Sequence, residues 1–276
     1  MADSKSIADY YNANTRKFLS LGGSGDTAAI HRAIWAPGVH NKRDALLYLN
    51  RFVAEHIQPV LGEQPELCHV LDLGCGTGGT ALFLAKRCSV QVIGVTLSAV
   101  QTQIARENAA QQNATAQSRF ITADFAQLPP LPQCEALYGI ESFAHAQDPE
   151  AFFAMAARLL KHKGRLLLCD DFLGDTSTPK AKQWVERIRS GWHLNNLISP
   201  NHCQDIAAQQ GFRLLHDEDL SAYLRAFPAP LLLGLNTLTR IPLPWAYWHN
   251  LSGGTSLQIC VQQAWTQYRA MVWEKC

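Results

Sequence analysis

The sequence predicts an α/β protein in which helices cover both faces of a doubly wound, mostly parallel sheet. Two observations lead to this prediction. An apolar run at residues 70–73 ends in glycines 74, 76, 78 and 79, and a helix-forming segment follows at once. Strand-like and helix-like segments then alternate as far as residue 170. This alternation is typical of a parallel sheet with crossover helices, whose ligand crevice lies at the carboxyl ends of the strands.

Each element of the alternation has its own signal. The strands are apolar runs with little polar alternation, which suits strands covered on both faces. They are predicted at 68–73, 90–96, 118–122, 136–140 and 165–170. The helices show apolar residues at helical spacing. They are predicted at 4–20, 27–34, 42–61, 80–87, 99–112, 149–160, 180–198, 200–210 and 256–275.

Bulk composition excludes several classes of protein. The chain has 276 residues, 47% of them hydrophobic and 17% charged, so it is predicted to be globular and not disordered. Its formal net charge of +1, with no long run of one sign, argues against nucleic acid as the main partner. No apolar stretch is long enough for a membrane span, and the start lacks a signal-peptide pattern. We therefore expect a cytoplasmic protein whose partner is a small molecule.

The eight cysteines show no C-x-x-C pair, and several lie in apolar, strand-like segments. We expect buried free thiols in a reducing compartment. Disulfides or a zinc site remain the less favoured alternatives, and no metal site is predicted.

The glycine loop alone does not identify its ligand. Gly74, Gly76 and Gly79 satisfy the spacing of a dinucleotide fingerprint, which also needs an acid near the end of the second strand. That strand instead ends in Val-Thr-Leu-Ser, and the acid, Asp72, precedes the first glycine. This arrangement favours an amino-acid sulfonium cofactor, which has no pyrophosphate.

The stretch VLDLGCGTG at residues 70–78 resembles the first motif of class I, Rossmann-like S-adenosylmethionine-dependent methyltransferases. The resemblance covers roughly residues 45–175. It implies that Asp72, Gly74, Cys75 and Gly76 lie against the methionine and ribose parts of the cofactor. A simpler role for Asp72 is to tie down the loop by accepting N–H bonds.

The second strand resembles one branch of that family in particular. The T-L-S-x-x-Q pattern from Thr96 to Gln101 is similar to that of cyclopropane fatty acid synthases and of tocopherol and prenyl diphosphate methyltransferases. Segments after residue 190 resemble the tocopherol and sterol methyltransferases. The resemblance implies that Thr96 and Gln101 serve the ribose hydroxyls, and that Asp124 and Phe125 serve the adenine. Alternatively, Gln101 is solvated on the first helical turn and Asp124 only forms a turn.

The same resemblance implies a division into three parts. Residues 1–44 form a helical lid, 45–175 the cofactor-binding core, and 176–276 an acceptor-binding cap with returning strands and a C-terminal helix. In the lid, Tyr11 and Trp35 are expected to contact the cofactor. The segment 31–35 lacks the glycine that is usual for this branch.

Glu141 and His145 follow the fourth predicted strand and are four residues apart, so one helical turn would bring them together. A carboxylate and an imidazole beside a sulfonium could take a proton or stabilise a carbocation. The E-S-x-x-H stretch also resembles that of prenyl-lipid methyltransferases. We predict Glu141 as the base or cation stabiliser and His145 as its helper, although either could be a packing residue.

The cap is rich in aromatic residues, which predicts an apolar acceptor pocket. Its predicted acceptor contacts are Trp192, His193, Phe227 and Tyr247. Most of the other rings are expected simply to pack the cap onto the sheet.

Together these features predict a methyltransferase that uses S-adenosylmethionine and acts on a small, largely apolar acceptor. The preferred reaction is C-methylation of a prenyl diphosphate or similar isoprenoid or ring carbon, and a diphosphate acceptor would add a need for magnesium. N- or O-methylation of an alkaloid, amine or phenol is the alternative. A non-catalytic, cofactor-binding regulatory protein is the alternative of another class.

Overall fold

The computed structural model of the protein describes residues 3–22, 27–239 and 246–276. Seven strands alternate with helices along this part of the chain. The helices are α1 (Ser4–Gly22), α2 (Lys42–Ile57), α3 (Gly79–Cys88), α4 (Ala99–Gln111), α5 (Pro149–Leu159), α6 (Pro179–Trp192), α7 (Pro200–Gln209), α8 (Ala229–Leu238) and α9 (Ala246–Gln262). The strands are β1 (His69–Leu73), β2 (Gln91–Thr96), β3 (Ser118–Thr122), β4 (Cys134–Ile140), β5 (Leu160–Leu173), β6 (Phe212–Asp219) and β7 (Thr266–Lys275).

All seven strands belong to one sheet, in the order β3-β2-β1-β4-β5-β7-β6. Strands β1 to β5 pair in parallel, and β7 is antiparallel to both β5 and β6. The order reverses at β1 and β4, which lie side by side. This confirms the predicted Rossmann-like fold, and it places a ligand crevice beyond the carboxyl ends of β1 and β4.

The two faces of the sheet carry separate cores. One core holds residues of α2, α3 and α4 against strand residues such as Val70 and Val92. The other holds residues of α5 and α7 against their chain neighbours, such as Leu71 and Ile93. Successive side chains of a strand point to opposite faces, so a strand covered on both sides must be apolar throughout. For that reason the sequences of the predicted strands show little polar alternation.

Side-chain caps fix where several helices begin. Ser98 Oγ accepts the backbone N–H of Gln101 at 3.1 Å at the start of α4. Asp148 caps α5, and Thr178 caps α6. Such caps satisfy N–H groups that have no partner inside the helix.

The predicted C-terminal helix at 256–275 is correct only in its first part. Helix α9 ends at Gln262, and Thr266–Lys275 forms β7 in the interior of the sheet. Leu257 and Val261 lie on α9, whereas Tyr268 lies on the strand, so their helical spacing in the sequence is accidental. The sequence pattern could not reveal this, because a strand buried on both faces shows no period of two. The boundaries of the three predicted parts stay a prediction.

The predicted helix at 27–34 is also absent. Ile34 instead forms an antiparallel bridge with Leu224, and Trp35 N–H donates to the carbonyl of Tyr223 at 2.8 Å. The segment is therefore held by the chain that follows β6.

Seven of the eight cysteines are buried free thiols, and Cys276 is exposed. No helix in the described ranges is long and apolar enough to cross a membrane.

The turn after β1 offers a test of the fold. Gly74 has φ +87°, and a Cβ there would lie 2.3 Å from Ser142 Cβ, whereas Gly38 has φ +84° and open space around it. Gly38→Ala should cost about 1–2 kcal/mol for the left-handed backbone alone. Gly74→Ala should cost roughly 1–3 kcal/mol more, because the added methyl group overpacks a buried site. Urea unfolding of both variants measures the difference, and equal losses would contradict the steric argument.

Candidate functional site

A cavity of about 320 Å³ lies beyond the carboxyl ends of the parallel strands. This volume falls within the range of roughly 300–1,000 Å³ that is typical of small-molecule sites. Its walls come from α1, the segment 28–32, the glycine loop, the ends of β2, β4 and β5, and the cap. The predicted site residues that line this cavity are Tyr11, Asp72, Gly74, Cys75, Gly76, Thr96, Gln101, Phe125, Glu141, His145 and Trp192.

The glycine loop is held against the end of β2. Gly74 N–H and Cys75 N–H both donate to the carbonyl of Val95, at 2.8 and 2.9 Å. Gly76 has φ +51°, and a Cβ there would lie 2.6 Å from Ile30 Cδ1. Glycine is needed at positions 74 and 76, because both have positive φ and both are too close to a neighbouring side chain for a Cβ atom.

Asp72 is buried at the floor of the cavity, with 3% of its surface exposed. Burial raises the pKa of its carboxyl to about 7, and the Tyr138 hydroxyl partly offsets that rise. An ionised Asp72 is costly here unless a positive group lies beside it. The position would therefore favour a cationic ligand.

Thr96 and Gln101, both predicted to serve the ribose hydroxyls, lie side by side. Thr96 Oγ1 donates to Gln101 Oε1 at 2.6 Å, and both side chains are buried. Gln101 Nε2 is buried and has no hydrogen-bond partner among the described residues. A buried amide N–H without a partner is unfavourable, so this group is ready to donate to a ligand oxygen in the cavity.

Helix α1 covers the cavity on the side of α4. Asn12 Oδ1 accepts from Ser98 Oγ at 2.6 Å and from Val100 N–H at 3.3 Å, which ties α1 to the start of α4. Ser4 Oγ donates to Asp124 Oδ2. No local sequence pattern predicts these contacts, because the partners are 86 and 120 residues apart.

Glu141 lies immediately after β4 with φ +53°, a left-handed conformation that is costly for a residue with a side chain. Its Oε1 accepts three hydrogen bonds: from Arg32 N–H at 2.9 Å, Arg32 Nε at 3.1 Å and Tyr268 Oη at 3.0 Å. Burial alone would raise its pKa, but Arg32, His31 and the hydrogen bonds outweigh burial and lower it. Glu141 is therefore an ionised carboxylate and a weak base.

Two further carboxylates from the end of β5 face the same cavity. Asp171 binds Arg32 in a bidentate pair, with distances of 3.0 and 2.7 Å. Asp170 accepts the N–H groups of Ala144 and Asp171 at 3.1 and 2.8 Å, and burial together with the charge of Asp171 raises its pKa to about 7. Both are functional candidates that the sequence alone does not single out.

His145 is held between the lid and the cap. Its Nδ1 lies 3.3 Å from the carbonyl of His193, and its Nε2 lies 2.8 Å from Tyr11 Oη. Because a carbonyl can only accept, Nδ1 carries the proton and Nε2 accepts from Tyr11. Burial lowers the pKa of His145 to about 4, so the imidazole is neutral near pH 7.

Other predicted contacts do not line the cavity. Asp124 accepts Ala126 N–H at 2.8 Å as well as the Ser4 hydroxyl, and so acts here as a turn residue. Trp35 is stacked under the guanidinium of Arg225, whose Cζ lies 3.1 Å from the centroid of the ring. His193 Nδ1 lies 3.3 Å from Ser6 Oγ.

The cap supplies part of the cavity wall. Trp192 Nε1 donates to the carbonyl of Asn250 at 3.1 Å. A Cβ at Gly253 would lie 2.5 Å from Trp192 Cδ1, so this glycine lets α9 approach the ring. Phe227 is instead 46% exposed and does not line the cavity. Tyr247 is on α9, but its side chain lies outside the described part of the structure.

A family comparison agrees with this geometry. Residues 70–164 match the model of a methyltransferase domain. The matched segment runs from β1 into β5 and includes the glycine loop, Thr96, Gln101 and Glu141.

Two relatives illustrate the range of named activities. An O-methyltransferase of Pyrenophora dematioidea is 33% identical over 160 residues, which are 57% of this chain and 58% of the relative. The sterol 24-C-methyltransferase erg6 of Aspergillus fumigatus is 30% identical over 165 residues, 58% of this chain and 43% of the relative. The matches thus span less than two thirds of these relatives.

Two solved structures share the fold over nearly the whole chain. The [4+2]-cyclase SpnF has a TM-score of 0.76 at 22% identity and covers 99% of this chain and 96% of its own. Geranyl diphosphate C-methyltransferase from Streptomyces coelicolor A3(2) has a TM-score of 0.71 at 19% identity and covers 99% and 97%. These likenesses support the fold.

The titration of Asp72 can be tested through stability. Its pKa is about 7 in the folded protein and near 4 when unfolded. The contribution of Asp72 to wild-type stability should therefore fall by ~1.4 kcal/mol for each pH unit between about 4 and about 7, and stay low above that range. Asn cannot ionise, so the stability of Asp72→Asn relative to wild type should grow over that range. Urea unfolding at pH 5 and pH 8 measures this; a difference that does not change with pH would disprove it.

Proposed function

We propose that the protein is an S-adenosylmethionine-dependent methyltransferase that acts on a small, largely apolar acceptor. The observation that carries the proposal is the buried pair Thr96–Gln101: both residues line the cavity, and the Gln101 amide nitrogen has no partner among the described residues. It lies in the same cavity as buried Asp72 and the glycine loop. A ligand with ribose hydroxyls and a positive charge suits these groups.

The proposed cofactor contacts follow from these positions. Gln101 Nε2 would donate to a ribose hydroxyl, and Thr96 holds the amide in that orientation. Asp72 would face the cationic part of the cofactor from the floor of the cavity. Gly74, Cys75 and Gly76 would contribute backbone, because the thiol of Cys75 is buried and burial raises its pKa. Phe125 and Tyr11 would cover the cofactor from above, and Asp124 and Trp35 would act through the loops they hold.

The electrostatics of the cavity favour an acceptor without negative charge. Asp72, Glu141, Asp170 and Asp171 all line it, and Arg32 is the one Arg or Lys among its described lining residues. The guanidinium of Arg32 is already paired with two carboxylates. An isoprenoid or ring carbon suits this environment; we expect Trp192 to contact the acceptor and His193 to act through His145.

A diphosphate acceptor would need added cations. No group of three or more His, Cys, Asp or Glu side chains in the described ranges is arranged to hold a metal ion. The carboxylates at the end of β5 are engaged by Arg32 and by backbone N–H groups. We therefore assign no step to magnesium, and we place uncharged acceptors ahead of prenyl diphosphates.

The chemistry divides between the cofactor and the protein. When bound, the cofactor supplies an electrophilic methyl group. Glu141, held ionised by Arg32, stabilises positive charge that develops on the acceptor carbon. Neutral His145 can then accept a proton at Nε2 through Tyr11, whose hydroxyl passes its own proton to Nε2 as it takes one from the carbocation. A base this weak is sufficient because a carbocation is a strong acid. The packed aromatic walls orient the acceptor and exclude water.

Methylation of oxygen or nitrogen is the second candidate. The O-methyltransferase of Pyrenophora dematioidea, at 33% identity, favours it. Turnover with a methyl-labelled cofactor and a panel of isoprenoids, phenols and amines separates the two. Mass spectra of the products show whether the label is on carbon or on a heteroatom.

The cofactor proposal predicts a specific loss on α4. Gln101→Ala should weaken binding of S-adenosylhomocysteine roughly three- to ten-fold, the worth of one hydrogen bond. Gln103→Ala is the matched control, since Gln103 is exposed on the same helix and donates to Glu107. Calorimetry measures both, and no binding by wild-type protein would refute the proposed function.

The role of Glu141 predicts a separation of rate from binding. Glu141→Gln keeps the shape of the side chain and removes its charge, so turnover should fall on the order of 100-fold. Binding of S-adenosylhomocysteine should stay within about two-fold, because Thr96, Gln101 and the glycine loop are unchanged. Single-turnover rates and calorimetry report the two quantities. Unchanged turnover would remove Glu141 from the reaction.

A further inference from the structure

Arg32 connects four separate parts of the chain at the reactive end of the cavity. It belongs to the segment 27–35, which crosses the glycine loop: Thr77 Oγ1 donates to the carbonyl of Ala28 at 2.8 Å. Its side chain reaches Glu141 after β4 and Asp171 in β5, and its guanidinium lies 4.0 Å above the ring of Tyr268 in β7. No sequence motif pointed to this residue.

The geometry of these contacts specifies arginine. Nη1 and Nη2 each donate to one oxygen of Asp171, and Nε donates to Glu141 Oε1. A planar guanidinium makes this bidentate pair and stacks on an aromatic ring, whereas a lysine ammonium does neither. The Arg32 side chain is only 20% exposed, so the contacts are made in a partly desolvated site.

The backbone of the same residue completes the arrangement. Arg32 N–H donates to Glu141 Oε1 at 2.9 Å, next to the Nε contact with the same oxygen. The position of the segment and the orientation of the carboxylate are therefore coupled. The three donors to Glu141, which are Arg32 N–H, Arg32 Nε and Tyr268 Oη, all bind Oε1. Oε2 is therefore left for a group in the cavity.

We propose that Arg32 is a positioning residue that latches the segment 27–35 over the cavity and holds Glu141 ionised and oriented for the reaction. The effect of Arg32 on turnover rests on the proposed function. Its effect on the charge state of Glu141 does not depend on that function. Without the guanidinium, Glu141 and Asp171 would share a low-dielectric site as like charges. Such carboxylates gain a proton.

Glu141 is surrounded by several titratable groups whose effects must be separated. Those that interact with it are Tyr11, His31, Arg32, His145, Cys169, Asp170, Asp171 and Tyr268. Asp171 is the most useful for comparison, because it shares Arg32 with Glu141. Asp171→Asn removes a competing carboxylate and leaves the Arg32–Glu141 contact in place.

A role as a simple structural clamp predicts something different. If Arg32 only held the segment down, Arg32→Ala would lower the free energy of unfolding and the turnover rate, and the fold-loss in turnover would be the same at every pH. If it oriented Glu141 and kept it ionised, the loss would be largest at low pH. The rate would recover as the pH rises, because Glu141 then ionises again.

The experiment compares Arg32→Ala, Arg32→Lys and Asp171→Asn with wild type. We expect the acid limb of the turnover profile to move to higher pH in Arg32→Ala and, by a smaller amount, in Arg32→Lys. Asp171→Asn should not move it upward. At pH 7 Arg32→Ala should lose on the order of 100-fold in turnover, the effect of losing one preorganised charge. Millimolar methylguanidinium should restore part of that rate, and urea at the same concentration should not.

A second readout needs no acceptor. Difference infrared spectra of Arg32→Ala against Arg32→Ala/Glu141→Gln should show a carboxylic-acid C=O band that disappears as the pH rises. The difference between wild type and Glu141→Gln should lack that band near pH 7, and the bands of Asp72 and Asp170 cancel in both differences. An unmoved acid limb together with no such band would overturn the proposal. If wild type fails to bind S-adenosylhomocysteine but the band appears, the proposed function fails and the charge role of Arg32 stands.

Discussion

The site depends on one electrostatic constraint: four carboxylates are crowded at the carboxyl edge of a single sheet. Asp72, Glu141, Asp170 and Asp171 come from the ends of three neighbouring strands, and burial penalises the charged form of each. The protein resolves the crowding in two ways. Glu141 and Asp171 share the Arg32 guanidinium, whereas Asp72 and Asp170 have pKa values of about 7. Arg32 thus holds two carboxylates at the reactive end of the cavity, and the charge of Asp72 at its floor can adapt to a cationic ligand.

The sheet explains why these groups meet. Adjacent parallel strands β1, β4 and β5 bring Asp72, Glu141 and Asp170 to one edge although they are far apart in sequence. Positive φ at Gly74 and Glu141 turns the chain away from the sheet immediately after β1 and β4. These two turns contact each other at Gly74 and Ser142, and both line the cavity.

Much of the site could be predicted because its signals are local. The glycine loop, the Thr96–Gln101 pair and the stretch from Glu141 to His145 each lie within a few residues of a strand end, so knowing the strands is enough to place them. The contacts of Arg32 and Tyr268 with Glu141 join residues 109 and 127 positions apart, and no local pattern encodes them. The helix predicted in place of strand β7 is wrong for a related reason. The stretch from Ala270 to Trp273 is buried on both faces, which removes the alternation that marks a strand.

The position of β7 also constrains how the sheet is completed during folding. It follows β6 in the chain yet lies between β5 and β6, so β6 is joined to the rest of the sheet only through β7. Pairing of β7 with β5 is a contact of long sequence separation, the kind that forms late because loop closure must precede it. Tyr268 arrives with that strand and supplies the hydroxyl that Glu141 accepts. The reactive carboxylate is therefore complete only when the last strand closes the sheet, and partly folded chains lack an assembled reactive centre.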